Sequence, residues 1–110
     1  MANTFKSYTK SNIGATTTDV YTVPASTVAV IIGCTLANTT GDQVNADLII
    51  NKADVAADDV YLVKSIPLPN GSSFEFNAGN KIILETGDKI QVTSDTATSV
   101  DAIVSVLEQS

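Results

Sequence analysis

Residues Val44–Asn51 read VNADLIIN, and apolar and polar side chains alternate along most of this stretch. Successive side chains of a β-strand point to opposite faces, so the alternation predicts a strand with one buried and one solvated face. Asn45, Asp47 and Asn51 are expected on the solvated face. The residues expected to face the core are Val44, Ala46, Leu48 and Ile50.

Similar segments rich in β-branched residues recur on both sides of this strand, with turn signals about every ten residues. The expected strands are Thr4–Tyr8, Asp19–Val23, Thr27–Ala37, Val44–Asn51, Val60–Ile66, a segment around Phe74 and Phe76, Lys81–Glu85, Lys89–Thr93 and Ser99–Leu107. The expected turns are Asn38–Asp42, Pro69–Gly71, Ala78–Asn80 and Thr86–Asp88.

This pattern predicts one all-β domain over residues 1–110, an antiparallel β-sandwich of about eight short strands. Alternation gives the faces of the strands but not their connections, so a jelly-roll and an immunoglobulin-like order both remain open. Leu48, Ile82 and Val104 are expected in the core. Residues 1–10 form either part of the domain or an extended N-terminal arm that contacts a neighbouring subunit.

The strand Thr27–Ala37 contains the single cysteine of the chain. Strict alternation places five apolar residues on its core face. They are Val28, Val30, Ile32, Cys34 and Leu36. Cys34 is therefore expected to be a small buried hydrophobic residue, and a lone cysteine excludes an internal disulfide.

The composition argues against several classes of partner. The net charge is −6, and the six basic residues are all lysines. Nucleic acids and anionic membranes are bound through clustered positive charge, so neither is an expected partner. No secretory signal and no apolar run of about 18 residues is visible, which predicts a soluble protein made in a cytoplasm.

The chain also lacks the groups that catalysis uses. It has no histidine, and its glycines are spaced as turns and not as phosphate-binding loops. Glu75, Glu85 and Glu108 are expected to be outward and solvated. Asp54, Asp58 and Asp59 lack the spacing of an EF-hand and are expected in a solvated loop. We therefore predict a non-enzymatic protein with no catalytic residue, cofactor or metal site.

Apolar residues recur on the second face of several strands, where an isolated sandwich should be mostly polar. Only 16% of the residues are charged, against roughly 25% in an average soluble protein. Scattered apolar residues on a surface are normal, but together these features favour a subunit interface. The candidate interface residues are Ile31, Ile49, Val63, Ile83, Ile103 and Leu107.

Several segments of the chain resemble small virion structural proteins of tailed bacteriophages, especially phages of cyanobacteria and other aquatic bacteria. These segments are Ile13–Ala25, Ala37–Thr40, Pro67–Phe74, Gly79–Ile90 and Ser99–Glu108. The resemblance implies a place in the virion and brings no catalytic residues with it.

Three functions follow as expectations. The first is a capsid decoration (cement) subunit that binds and stabilises the particle, forms a trimer or ring, and contacts the major capsid protein. The second is a tail, baseplate or fibre component that contacts the host surface. The third is a carbohydrate-binding module, in which Tyr8, Tyr21 and Tyr61 would form an aromatic platform.

Overall fold

Eight strands joined by turns and loops form the domain, as the alternating sequence predicts. The computed structural model describes residues 3–53 and 59–110, and the side chains of all of these except 77–81. No helix that could cross a membrane occurs in these residues. The strands are β1 (Asn3–Ile13), β2 (Thr18–Thr22), β3 (Val28–Asn38), β4 (Val44–Asn51), β5 (Val60–Leu68), β6 (Ser73–Leu84), β7 (Lys89–Ser94) and β8 (Val100–Gln109).

The strands pair into two four-stranded antiparallel sheets. Sheet A has the order β1-β8-β3-β6, and sheet B has the order β2-β7-β4-β5. Each sheet combines strands that are distant in sequence, and the last two strands insert between early ones. Eight strands connected in this way form a jelly roll, which decides between the two orders that the sequence left open.

The core lies between the two sheets. Leu48 and Val104 are buried, and Ile82 is half-buried against the core, in agreement with the sequence prediction. The predicted inward face of β4 is confirmed as well, since Val44, Ala46, Leu48 and Ile50 are all buried. Complete burial of one such aliphatic side chain stabilises a fold by roughly 1.5–3 kcal/mol.

The predicted face of β3 is wrong in its first half. The pairing of β3 with β8 shifts register between Ile31 and Gly33, where β3 contains one extra residue. A one-residue bulge exchanges the two faces of a strand. Before the bulge the core residues are therefore Ala29 and Ile31, and after it they are Cys34 and Leu36.

The predicted turn at Ala78–Asn80 does not form, because β6 continues through this segment as one strand. On either side of this segment β6 pairs with β3, with Asn77 opposite Gly33 and Ile82 opposite Ile31, and the register is irregular between these two pairs. The turns at Pro69–Gly71 and Thr86–Asp88 do form. Gly71 and Gly87 both have positive φ, which glycine adopts without steric cost.

Residues 3–10 lie within β1, an edge strand of sheet A. They pair with β8 from Asn3 opposite Gln109 to Lys10 opposite Ala102. In this single chain they are thus part of the sheet and do not extend away from it.

Candidate assembly surface on sheet A

The outer face of sheet A carries an apolar row that crosses all four strands. Phe5 of β1 is opposite Leu107 of β8, Leu107 is opposite Val30 of β3, and Val30 is opposite Ile83 of β6. Directly opposed residues of an antiparallel pair project from the same face. We refer to these four residues as the apolar ridge.

The ridge is open to solvent at both of its ends. Phe5 is 75% exposed and Ile83 is 62% exposed, while Leu107 and Val30 between them are half-buried. Three further exposed apolar residues belong to the same sheet. They are Val28, Ile32 and Ile103. Five of the seven exposed large hydrophobic side chains among the described residues therefore lie in sheet A.

Sheet B has a different outer surface. On its central strands polar residues such as Asn45, Asp47 and Gln91 project outward, and Gln91 donates a hydrogen bond to Asp19 at 2.7 Å. Its exposed or half-exposed apolar residues include Ile49 and Tyr61, which are opposite each other, and Val60 on the edge strand β5. An antiparallel sheet with one solvated face is expected to look like sheet B. Sheet A departs from that expectation.

The structure separates the six residues predicted from sequence as an interface. Ile83, Ile103 and Leu107 lie together on the outer face of sheet A. Ile49 is half-buried on the outer face of sheet B, and Val63 is opposite Leu48 and packs against the core.

The prediction for Ile31 is wrong, because this residue is 1% exposed and lies in the core. The bulge in β3 turns Ile31 inward and leaves Ile32 exposed. Sequence reasoning missed Val28, Val30 and Ile32 for the same reason. It also missed Phe5, whose only signal was a single aromatic side chain among polar neighbours.

A buried carboxylate behind the ridge fixes strand β1. Glu108 is buried, which corrects the solvated role expected for it. Its Oε2 accepts hydrogen bonds from the hydroxyl groups of Tyr8 at 2.8 Å and Tyr21 at 2.6 Å. The Lys6 ammonium lies 3.8 Å from Oε1. The strands β1, β2 and β8 are thereby joined at one carboxylate.

The same contacts set the ionisation of these groups. Burial alone would favour the protonated form of Glu108. The hydrogen bonds from Tyr21 and Tyr8, with the charge of Lys6, outweigh burial and hold the pKa of Glu108 below its ordinary value. Burial and the neighbouring carboxylate raise the pKa of Tyr21 and of Tyr8. The cluster is therefore one carboxylate bound by two neutral phenols.

The three tyrosines do not form the aromatic platform expected of a carbohydrate-binding module. Tyr21 is buried and Tyr8 is half-buried, with their rings 4.4 Å apart between the sheets. Tyr61 is exposed on sheet B beneath the Lys64 ammonium.

A second buried carboxylate belongs to the turn before β7. Asp88 accepts hydrogen bonds from the Lys52 ammonium at 2.6 Å, the Ala53 amide at 3.0 Å and the Glu85 amide at 3.0 Å. Burial opposes its ionisation, but these donors hold the pKa of Asp88 below its ordinary value. Because the oxygens of Asp88 are occupied by donors of the chain itself, its role is structural.

The acidic residues considered for calcium do not form a described site. Asp54 and Asp58 lie outside the described residues. The carboxylate of Asp59 accepts hydrogen bonds from the Lys52 amide and the Asn51 side chain, at 2.7 and 2.8 Å. Within 3–53 and 59–110 no group of three or more acidic or cysteine side chains could hold a metal ion.

An open groove of about 550 Å³ lies beyond the ridge on the outer face of sheet A. Its lining includes Ile103, Thr35 and Thr9 together with the charged residues Lys10 and Asp101. Thr9 and Lys10 place the groove toward the end of β1.

The chain matches no family model and no curated protein. Its fold is similar to that of a solved chain from the Bacillus endospore appendages, which form a novel family of disulfide-linked pili, with a TM-score of 0.53. That alignment covers 99% of this chain and 87% of the other, at 14% sequence identity. At this identity the likeness shows the fold alone, and the fold it shows is an all-β sandwich of two packed antiparallel sheets.

Proposed function

We propose that this protein is a non-enzymatic structural subunit of a tailed-phage virion, most concretely a capsid decoration protein that self-associates through the outer face of sheet A. The observation that carries the assembly role is the apolar ridge, which crosses every strand of one sheet. The resemblance of the sequence to small virion proteins favours the phage particle as the assembly.

The exposed ridge gives a physical reason for association. Removal of apolar surface from water contributes roughly 25 cal/mol for each Å², so covering Phe5, Ile83 and their neighbours favours a bound state. Contiguous apolar surface of this kind marks interaction sites on soluble proteins. The polar surface of sheet B would then remain outside this contact.

The fold supplies the rigidity that a shell component needs. Both sheets are connected through Glu108, and the turn before β7 is closed by Asp88 and Lys52. Decoration by such a rigid domain would add contact area between shell subunits without any covalent bond.

A tail, baseplate or fibre component is the second candidate, since it would use the same apolar surface. Such a component would be present in few copies, and a decoration protein would be present in hundreds. The carbohydrate-binding module is disfavoured, because Tyr8 and Tyr21 are enclosed between the sheets.

The structural neighbour comes from pili described as disulfide-linked. This chain has one cysteine, Cys34, which is buried and whose pKa is raised to about 12 by burial. A buried thiol with so little thiolate is not available for a cross-link between subunits. We therefore propose assembly by non-covalent contacts.

Two measurements test the proposal together. Light scattering of the purified protein over a range of concentrations should show an oligomer. Quantitative mass spectrometry of purified particles of the encoding phage should show hundreds of copies per particle. A few copies per particle would favour the tail component, and absence from the particles would contradict the virion role.

A further inference from the structure

We propose that the outer face of sheet A binds a second copy of this chain, face to face, across a two-fold axis that runs parallel to the apolar ridge. The inference rests on the proposed function and gives its self-association a defined symmetry. It replaces the trimer or ring expected from sequence with a two-fold pair.

A row of small residues lies next to the ridge. Ser7 of β1 is opposite Ser105 of β8, and Ser105 is opposite Gly33 of β3. On β1 and β8 these residues follow or precede the ridge by two positions, a distance of about 7 Å along a strand. We refer to Ser7, Ser105 and Gly33 as the trough. The exposed bulge residue Ile32 is next to Gly33 on β3, so the uninterrupted part of the trough is the pair Ser7 and Ser105 on β1 and β8.

Ridge and trough are complementary under one specific rotation. A two-fold axis in the plane of contact, parallel to the rows and midway between them, places the ridge residues of β1, β8 and β3 above the trough residues of the same strands. Leu107 of one copy then faces Ser105 of the other, and Phe5 faces Ser7. The same rotation also forms the reverse contacts, because a two-fold interface is isologous and each contact occurs twice. Packed sheets interdigitate their facing side chains in this manner.

Charge also favours a second copy as the occupant. Each chain carries a net charge of −6, so two copies associate more readily through a surface that brings no like charges into contact. No side chain of the ridge or the trough is charged. The charged residues Lys10 and Asp101 line the groove beyond the trough, and Glu75 is opposite Thr35 in the next row. A neutral face fits a copy of itself better than it fits a charged partner.

The first experiment identifies the face. Ile83→Asp places a charge on the ridge, and Val60→Asp is the matched control on the edge strand of sheet B, where Val60 is similarly exposed. Sedimentation equilibrium should show dimer affinity weakened about tenfold or more by Ile83→Asp and little changed by Val60→Asp. A larger effect of Val60→Asp would overturn the assignment to sheet A.

The second experiment tests whether the ridge of one copy faces the trough of the other. Ser105→Leu adds apolar surface, so non-specific association predicts a tighter dimer. The proposed two-fold contact predicts a weaker dimer, because the introduced leucine side chain would meet Leu107 of the other copy. The double variant Ser105→Leu with Leu107→Ser exchanges ridge and trough on β8 and should restore the dimer. A tighter dimer of the Ser105→Leu variant, or no recovery of dimer affinity in the double variant, would overturn the proposed two-fold contact.

These outcomes separate the inference from the proposed function. Thermal melting of each variant establishes that it is folded. A wild-type protein that is monomeric at all concentrations would overturn the two-fold pair, but its presence in hundreds of copies on phage particles would leave the virion role standing. A dimer that is absent from particles would leave the pair standing and contradict the virion role.

Discussion

The phenolic oxygen of Tyr21 lies 2.6 Å from Oε2 of Glu108 and donates a hydrogen bond to it across the interior of the sandwich. Tyr21 belongs to β2 of sheet B, and Glu108 belongs to β8 of sheet A. Tyr8 of β1 donates to the same oxygen. Because β1 presents Phe5 on its opposite face, the cluster that fixes this edge strand also positions one end of the apolar ridge.

Tyr21→Phe should lower the free energy of unfolding by about 1.5–3 kcal/mol. The substitution keeps the ring and removes the donor to a buried, charged acceptor, which is the more costly kind of hydrogen bond to lose. Urea denaturation measures the loss. Tyr61→Phe is the control, since Tyr61 is exposed and its ring remains beneath Lys64, and it should change stability by less than about 0.5 kcal/mol. Equal effects of the two variants would contradict a structural role for the Glu108 cluster.

The contribution of Glu108 should depend on pH with a defined sign. Its pKa is lower in the folded chain than in the unfolded chain, so ionised Glu108 stabilises the fold above about pH 4.3, the ordinary pKa of glutamate. That stability is lost as the pH falls through the folded-state pKa. The difference in unfolding free energy between wild type and Glu108→Gln should therefore be largest near neutral pH and should shrink in acid.

Unfolding curves of the two proteins at a series of pH values measure this difference. Asp88 titrates in the same direction, but it is present in both proteins and its contribution cancels in the comparison. A difference that stays constant from neutral to acidic pH would mean that the charge of Glu108 does not stabilise the fold.

Gly87→Val should destabilise the fold by about 1–3 kcal/mol through the backbone of the turn before β7. Gly87 has φ of +86°, and a Cβ added there would lie 2.9 Å from the Cβ of Ala53. Gly41→Val is the control, because Gly41 does not have positive φ and an added Cβ would meet no atom within 4 Å. Differential scanning calorimetry of both variants tests this, and a melting temperature unchanged by Gly87→Val would contradict the strained geometry.

The sequence predicts the sandwich and the faces of β4 because polar residues mark one side of that strand. In β3 the apolar run Val28–Cys34 occupies both faces, so the exchange of faces at the bulge leaves no trace in the pattern. The turn signals near Gly79 are local, and β6 continues past them because β3 pairs with β6 on both sides of this segment. The hydrogen-bond partners of Glu108 are distant in sequence, so its burial follows only from the fold.

The sequence predicts that an apolar candidate interface exists, but it locates only part of that surface. An excess of outward apolar residues indicated an interface, and Ile83, Ile103 and Leu107 lie on it. The ridge itself depends on the register of four strands. No periodicity within one strand specifies that Phe5, Leu107, Val30 and Ile83 are opposite one another.

The bulge in β3 predicts that truncation of two adjacent isoleucines, Ile31 and Ile32, has different effects on stability. Ile31 is 1% exposed and Ile32 is 43% exposed. Ile31→Ala should cost about 2–5 kcal/mol, because it removes buried methyl groups and leaves a cavity between the sheets. Ile32→Ala should cost less than about 1 kcal/mol, because its side chain is already in contact with water. Strict alternation without a bulge predicts the reverse order, with Ile32 beside Cys34 in the core. Urea denaturation at concentrations where the protein is monomeric distinguishes the two, since only a bulged β3 makes Ile31 the costlier residue to truncate.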